Sequence, residues 1–152
     1  MANTAALLQN LLRCKADYNY AILQQSLWAS KQEANLSKLS AHQSSEEDWY
    51  KAYDKAEEVA FDGDAKDLKY KGQTYVKAGC NSTLACENYA NAKVGNFDEI
   101  SLNLDTYSDL DTEYSLMLST YDAMVTQLDA MITSYEEELG SAAADTGRIG
   151  QG

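Results

Sequence analysis

The sequence predicts an all-α protein in which two long helices form an antiparallel helical hairpin, packed like a coiled coil, with a small mixed insert between them. Two observations support this prediction. Apolar residues between 97 and 139 recur at alternating steps of three and four, which places them on one face of a helix. The chain of 152 residues also contains no proline, so no residue forces a long helix to kink.

The second long helix is predicted over 97–139, where it would run roughly 60 Å at 1.5 Å per residue. One line of its repeat carries tyrosines and aliphatic residues, and a neighbouring line carries Leu110 and three methionines. A single partner helix cannot cover both lines, so we expect part of this face to contact another chain. The predicted self-association or partner interface consists of Tyr107, Leu110, Tyr114, Met117, Leu118, Tyr121, Met124, Val125, Leu128, Met131, Ile132 and Tyr135.

The first long helix is predicted over 4–61, with Asn3 or Thr4 as its N-cap. Its heptad grid is weaker, because glutamines interrupt it. One line of the grid carries Leu11, Tyr18, Gln25, Gln32 and Leu39, and the other carries Leu8, Lys15, Ile22, Ala29 and Leu36. Apolar content falls between residues 40 and 45, which leaves open one continuous helix or two helices. The absence of glycine and proline there favours the continuous helix.

The insert is predicted over 62–96 and differs in kind from the helices. Gly63 favours the end of the first helix, and the alternation of residues on either side of Gly72 predicts a short β-hairpin. A short helix is predicted within 84–93. Gly140 is expected to end the second long helix, so residues 1–139 would form one helical domain and residues 140–152 a flexible tail.

The charge of the chain is strongly negative, at −12. Residues 98–152 hold twelve acidic residues and one basic residue, Arg148. Such a balance argues against nucleic acids and anionic membranes as partners, because both would repel the chain. Two interpretations of the acidic helix stay open. It either forms a solvated surface, or its carboxylates meet cations or the basic groups of another protein.

The sequence contains no motif typical of an enzyme, so we predict a protein without catalytic residues, cofactor or metal. His42 is the only histidine and is expected to face solvent. Asp62, Asp64 and Asp67 lack the spacing of a calcium-binding loop. Cys80 and Cys86 are close enough in sequence for a disulfide in an oxidising compartment, and two reduced thiols are equally compatible with the sequence.

No Sec-type signal and no membrane-spanning segment is predicted, which leaves open export by a signal-independent route or incorporation into a virus particle. The helix–insert–helix plan resembles that of exported or virion filament subunits. We therefore expect a non-enzymatic structural subunit of the filament, needle, tail or virion type that forms a homo-oligomer or polymer. The alternative is a small acidic helical binding module, or a secreted partner protein, that acts as a monomer or dimer.

Overall fold

A computed structural model describes the backbone of residues 4–151 and the side chains of residues 4–144. In this part of the chain the elements follow the order α1 (Thr4–Phe61), β1 (Leu68–Tyr70), β2 (Gln73–Val76), α2 (Thr83–Lys93) and α3 (Phe97–Gln151). The predicted fold class is confirmed, because the two long helices α1 and α3 pack against each other and the small sheet and short helix lie between them in sequence.

Helix α1 runs for 58 residues without a break at residues 40–45. The polar residues of this stretch are accommodated within the helix, since the Ser45 hydroxyl donates to the Ala41 carbonyl at 3.2 Å. A serine that bonds to the preceding turn satisfies its own hydroxyl without interrupting the backbone ladder. Low apolar content in this stretch therefore does not end the helix.

Helix α3 begins after Asn96, whose side-chain oxygen accepts a hydrogen bond from the Glu99 backbone N–H at 3.1 Å. Acidic residues in the first turn, Asp98 and Glu99, also favour this helix start through the helix dipole. The helix continues through Gly140 to Gln151, so the predicted end at Leu139 is not observed. A glycine inside a helix costs only about 1 kcal/mol relative to alanine, and this cost alone does not terminate a long helix.

The flexibility expected of residues 140–152 stays a prediction. Helix α3 is continuous as far as Gln151. Gly152 and the side chains of residues 145–152 lie outside the described part of the chain.

The hairpin of the insert is built around a two-residue turn. Strands β1 and β2 pair in antiparallel register, with Tyr70 opposite Gln73. Between them Lys71 has φ 50° and Gly72 has φ 78°, the two positive angles of a type I′ turn. This turn matches the right-handed twist of the strands, which explains why so short a sheet forms there.

The end of the hairpin returns to the last turn of α1 through two glycines. The Gly79 N–H donates to the Val59 carbonyl at 3.1 Å, and Gly79 has φ +76°. A Cβ atom at Gly79 would lie 2.9 Å from the Gly63 Cα. A side chain at Gly79 would therefore strain its own backbone and clash with the backbone at Gly63.

The chain divides into two compact units. The first combines Met1–Glu33 with Thr112–Gly152, and the second is Ala34–Asp111. In the first unit Lys15 pairs with Glu136 at 3.5 Å, and the Gln32 side chain donates to the Ser115 hydroxyl at 2.8 Å. The later residue of α1, Gln32, is therefore bonded to the earlier residue of α3, Ser115. This order shows that the two helices run antiparallel in this unit. Among the described residues of this unit, Leu11, Cys14 and Ala21 are apolar and buried.

The second unit contains the larger core, in which residues from α1, β2, α2 and α3 meet. Asn91 of α2 links the two long helices within this unit, because its side-chain oxygen accepts from Trp49 Nε1 at 2.8 Å and from the Phe97 N–H at 3.2 Å. Both donors are thereby satisfied in a partly buried site. The buried residues of the core are Trp49, Ala52, Ala56, Ala60, Val76, Cys86, Tyr89, Ala90 and Ile100.

Two lines of residues, each with a spacing of seven, were predicted to form the face of α1 that contacts α3. One of these lines is found one residue earlier in the sequence than predicted. The line through Leu11 and Tyr18 is buried or half-buried, as predicted. The line through Leu8 and Lys15 is exposed instead. In its place, the neighbouring line of residues with the same spacing of seven is buried or half-buried. This line consists of Cys14, Ala21, Trp28, Asn35, His42, Trp49 and Ala56. Hydropathy favoured the wrong line because the buried line includes small and polar residues.

Candidate functional site

The interface residues predicted on α3 lie mostly on the side of this helix that faces α1. Eleven of the twelve are half-buried, and Met131 is exposed. Their rings meet rings of α1 in both units: Tyr114 lies 5.7 Å from Trp28 in the first unit, and Tyr107 stacks on His42 at 5.1 Å in the second. These contacts hold the hairpin together, and a role in contacts with another chain stays a prediction for the part of each side chain that is exposed.

A shallow groove in the first unit shows that α1 does not cover this face completely. Its volume is about 220 Å³. Met124, Leu128 and Met131 of the predicted interface lie along it, together with Asp17, Tyr20 and Gln127. Three residues of the predicted interface thus line an open groove of the first unit.

A row of leucines on α1 was not predicted as a site. Leu8, Leu12, Leu23 and Leu27 have exposed fractions between 45% and 68%. Steps of four, eleven and four residues correspond to about one, three and one helical turns, so the four side chains share one face. We call these residues the outer leucine row. It lies on a different face from the buried core residues of this unit, and the same spacing could have revealed it in the sequence.

Two basic residues accompany the outer leucine row. Arg13 directly follows Leu12, and Lys31 comes one turn after Leu27; both are exposed. The Lys31 ammonium lies 4.4 Å from the centre of the Trp28 ring. Residues 4–33 of α1 hold three basic residues and two acidic ones, so this part of the helix is slightly basic beside its apolar row.

The outer face of α3 in the same unit has a different character. Leu116, Ala123 and Ala130 repeat every seven residues, and all three are exposed. Between residues 112 and 144, α3 contains six acidic residues and no lysine or arginine. Apolar side chains at this spacing form a narrow stripe along the helix, and every charge that α3 carries in these residues is negative.

The second unit contains a cavity of about 510 Å³. Four aromatic rings form part of its wall. The ring of Trp49 stacks near that of Tyr53 at 5.4 Å and lies 4.5 Å from that of Phe97, while Tyr50 meets Phe97 at 5.8 Å. The remaining lining residues are Asp54, Glu87, Asn91, Asn96 and Asp98.

All charged residues that line this cavity are acidic: Asp54, Glu87 and Asp98. The negative potential also acts on Tyr53. Burial, a hydrogen bond to Glu57 and the charges of Glu57 and Glu87 raise the pKa of the Tyr53 hydroxyl above its ordinary value. An aromatic wall with carboxylates beside it favours a ligand that is both apolar and positively charged.

The cavity is held in place by capping interactions at the helix starts. Ser82 caps α2, accepting from the Ala85 N–H at 3.1 Å, and Asn96 caps α3 at the edge of the cavity. The Asn91 side-chain oxygen accepts a hydrogen bond from the indole N–H of Trp49 and so fixes the position of that ring. This site was not predicted because its residues come from three separate segments, and only the close spacing of the aromatic residues at 49, 50 and 53 could have indicated it.

The two cysteines proposed for a disulfide are free thiols. Cys86 is buried in the core of the second unit on α2, whereas Cys80 is exposed in the preceding turn. Burial and the nearby charges of Glu57 and Glu87 raise the pKa of the Cys86 thiol. A buried thiol with a raised pKa remains protonated at neutral pH and reacts slowly.

Two other candidates from the sequence have structural roles. His42 is half-buried against the Tyr107 ring and does not face solvent freely as expected. Asp62 accepts from the Asp64 N–H at 3.0 Å, and Asp67 from the Ala78 N–H at 2.9 Å, so these carboxylates support the turns of the insert. No group of three His, Cys, Asp or Glu side chains within the described residues could hold a metal ion.

Within residues 4–151 no helix combines the length and the apolarity that crossing a membrane requires. No protein family model, curated protein or solved structure matches this chain. Functional conclusions therefore depend on the surfaces and cavities described above.

Proposed function

We propose that this protein is a non-enzymatic structural subunit that self-associates through its long helices, as subunits of filaments, needles, tails or virions do. The observation that carries the proposal is the outer leucine row of α1. Its four leucines extend over about 28 Å at 1.5 Å per residue. Ala16, which is also exposed, lies between Leu12 and Leu23 on the same face. An exposed apolar surface of this kind on a helix typically marks an interface with another chain.

The charges of the first unit favour a second copy of the chain as the occupant. The outer leucine row has Arg13 and Lys31 beside it, whereas α3 carries only acidic charges between residues 112 and 144. The leucines of one copy can pack on Leu116, Ala123 and Ala130 of the next, where the basic residues would meet carboxylates. Contact between two α3 faces would place acids against acids and is disfavoured.

A contact between two different faces has a consequence for the assembly. After two copies bind, one of them still has a free leucine row and the other a free α3 face, so further copies can add unless the rotation closes a ring. Such an interface extends into a polymer more readily than a symmetric contact, which ends at a dimer. This favours the filament-type subunit over the alternative of a small binding module that stays a monomer or dimer.

The proposal is tested by measuring mass in solution with light scattering across protein and salt concentrations. We expect the mass to grow with protein concentration and to grow further with salt, because salt screens the repulsion between chains of net charge −12. Replacing Leu12 and Leu23 with glutamate should abolish the growth. The matched control replaces the exposed Leu84 and Leu102 of the second unit with glutamate, which changes charge and apolarity equally and should leave growth intact.

Mixing variants tests whether the two faces differ. A chain with Leu12→Glu and Leu23→Glu retains its α3 face, and a chain with Ala123→Glu and Ala130→Glu retains its leucine row. The mixture should form heterodimers and nothing longer, while circular dichroism shows that each variant remains helical. A wild-type chain that stays a monomer or dimer under all conditions would reject the assembly proposal and favour the binding module.

A further inference from the structure

We propose that the aromatic and acidic cavity of the second unit binds an alkylammonium group, that is, a protonated amine on an aliphatic stem. This site is separate from the faces used in the proposed assembly, since all its lining residues lie between Trp49 and Asp98. The proposal therefore stands or falls independently of self-association.

The wall of the cavity suits the apolar stem and the charged head of such a ligand. Trp49 is 5% exposed and forms the base of the aromatic group, while Tyr50 is 47% exposed at the rim. Asn91 accepts from the N–H of Trp49, and the Trp49 ring packs against those of Tyr53 and Phe97, so the more exposed ring of Tyr50 is the one that offers most surface to a cation. A cation within about 6 Å of such rings is attracted to their negative faces, most strongly to tryptophan.

The charges of the cavity select the sign of the ligand. Asp54, Glu87 and Asp98 are exposed carboxylates, and no basic residue lines the cavity. A second cavity of the same unit, of about 360 Å³, has three lysines in its lining, at positions 51, 55 and 93. The acidity of the first cavity is thus a local feature and does not simply follow from the composition of the chain.

The volume also fits the proposed class. A cavity of about 510 Å³ lies within the range of small-molecule sites, and it admits an aliphatic chain of several carbons. An ammonium head between the carboxylates and the exposed ring of Tyr50 would keep part of its hydration at the rim, while the stem would lie along the aromatic wall. A neutral ligand of the same length would gain only the apolar part of this interaction.

The test uses the full chain carrying Trp28→Phe, so that Trp49 is the only tryptophan. The Trp28 indole N–H is buried without a hydrogen-bond partner among the described residues, so phenylalanine loses no hydrogen bond there. Trp49 fluorescence is followed during titration with n-pentylamine and, in parallel, with 1-pentanol. We expect saturation by the amine at about 1–10 mM and at least fivefold weaker binding of the alcohol.

Matched variants locate the site. Asp54→Asn with Glu87→Gln should weaken amine binding at least fivefold and leave binding of the alcohol unchanged. The control, Asp105→Asn with Asp109→Asn, removes two exposed carboxylates of the same unit outside the cavity and should keep the wild-type affinity for the amine. Tyr50→Leu keeps an apolar rim and should weaken only the amine.

Two short peptides distinguish the source of the alkylammonium group. Acetyl-Gly-Lys-Gly-amide is compared with its norleucine counterpart. Saturable binding of the lysine peptide alone would assign the site to a side chain of a partner protein, and binding of the free amine alone would assign it to a small molecule. Equal binding of pentylamine and pentanol, no saturation by either up to about 50 mM, or full affinity in the Asp54 and Glu87 variant would overturn the proposal.

Discussion

At the scale of single residues, two glycines illustrate how the same residue type can be required at one position and dispensable at another. Gly79 has φ +76° and no room for a Cβ, because that atom would lie 2.9 Å from the Gly63 backbone. Gly140 lies inside α3, where an added Cβ would meet nothing within 4 Å. One glycine closes the insert onto α1, and the other only weakens a helix.

Alanine substitution should therefore have opposite effects at these positions. Gly79→Ala should lower the free energy of unfolding by about 1–3 kcal/mol, since it adds strain at positive φ and a backbone clash. Gly140→Ala should raise it by up to about 1 kcal/mol through helix propensity alone. Urea denaturation followed by circular dichroism measures both. Equal effects of the two substitutions would contradict the close approach of Gly63 and Gly79.

At the scale of the helices, a buried polar residue stands on the contact face of α1. Asn35 is 4% exposed, and its side-chain amide donates to the Tyr107 carbonyl of α3 at 2.8 Å. A polar residue at such a position can fix the register of two helices at a cost in stability. Its hydrogen bond defines which turn of α3 lies opposite this turn of α1 within the second unit.

Replacing Asn35 with leucine should separate stability from register. We expect Asn35→Leu to hold or raise the free energy of unfolding, because the apolar side chain replaces a polar group that is costly to bury. Asn35→Ala should lower it by about 1–2 kcal/mol by removing the bond and leaving a cavity. Denaturant unfolding measures both variants, and a large loss in Asn35→Leu would show that the hydrogen bond is net stabilising.

The matched control for these variants is Asn88→Leu, at an exposed asparagine of α2 in the same unit. It makes the same chemical change inside a helix without touching a buried contact. We expect it to change the free energy of unfolding by less than about 0.5 kcal/mol, the size of a helix-propensity effect. Any difference between the two leucine variants then reports the buried site at Asn35.

The long helices also show which parts of the structure could be predicted from the sequence and which could not. The regular repeat of α3 predicted its long helix and its role in the hairpin, because tyrosine, leucine and methionine there follow one period. One of the two contact lines predicted on α1 was misplaced by one residue, since Asn35 and His42 carry no hydropathy signal yet contact Tyr107. Only the close spacing of Trp49, Tyr50 and Tyr53 hinted at the cavity in the sequence, because the cavity forms only when α1, α2 and the start of α3 meet.

At the scale of the whole molecule, charge and burial together set the response to pH. Burial raises the pKa of Cys86 above 9.0 and contributes to raising those of Tyr53 and Tyr121 above 10.0; nearby carboxylates act in the same direction on Cys86 and Tyr53. A hydrogen bond to Tyr20 also favours the neutral form of Tyr121. The folded chain thus holds these protons more tightly than the unfolded chain does.

The sign of the pH dependence follows from this difference in proton binding. Well below pH 9 all three groups are protonated in both states, so their contribution to stability is fully present. As the pH rises above about 9 the unfolded chain loses these protons first, and the free energy of unfolding should fall progressively beyond about pH 10. Urea denaturation at a series of pH values from about 7 to 11 measures the slope. Tyr53→Phe should make the fall above about pH 10 shallower, because one of the linked protons is removed; an unchanged slope would show that Tyr53 titrates alike in both states.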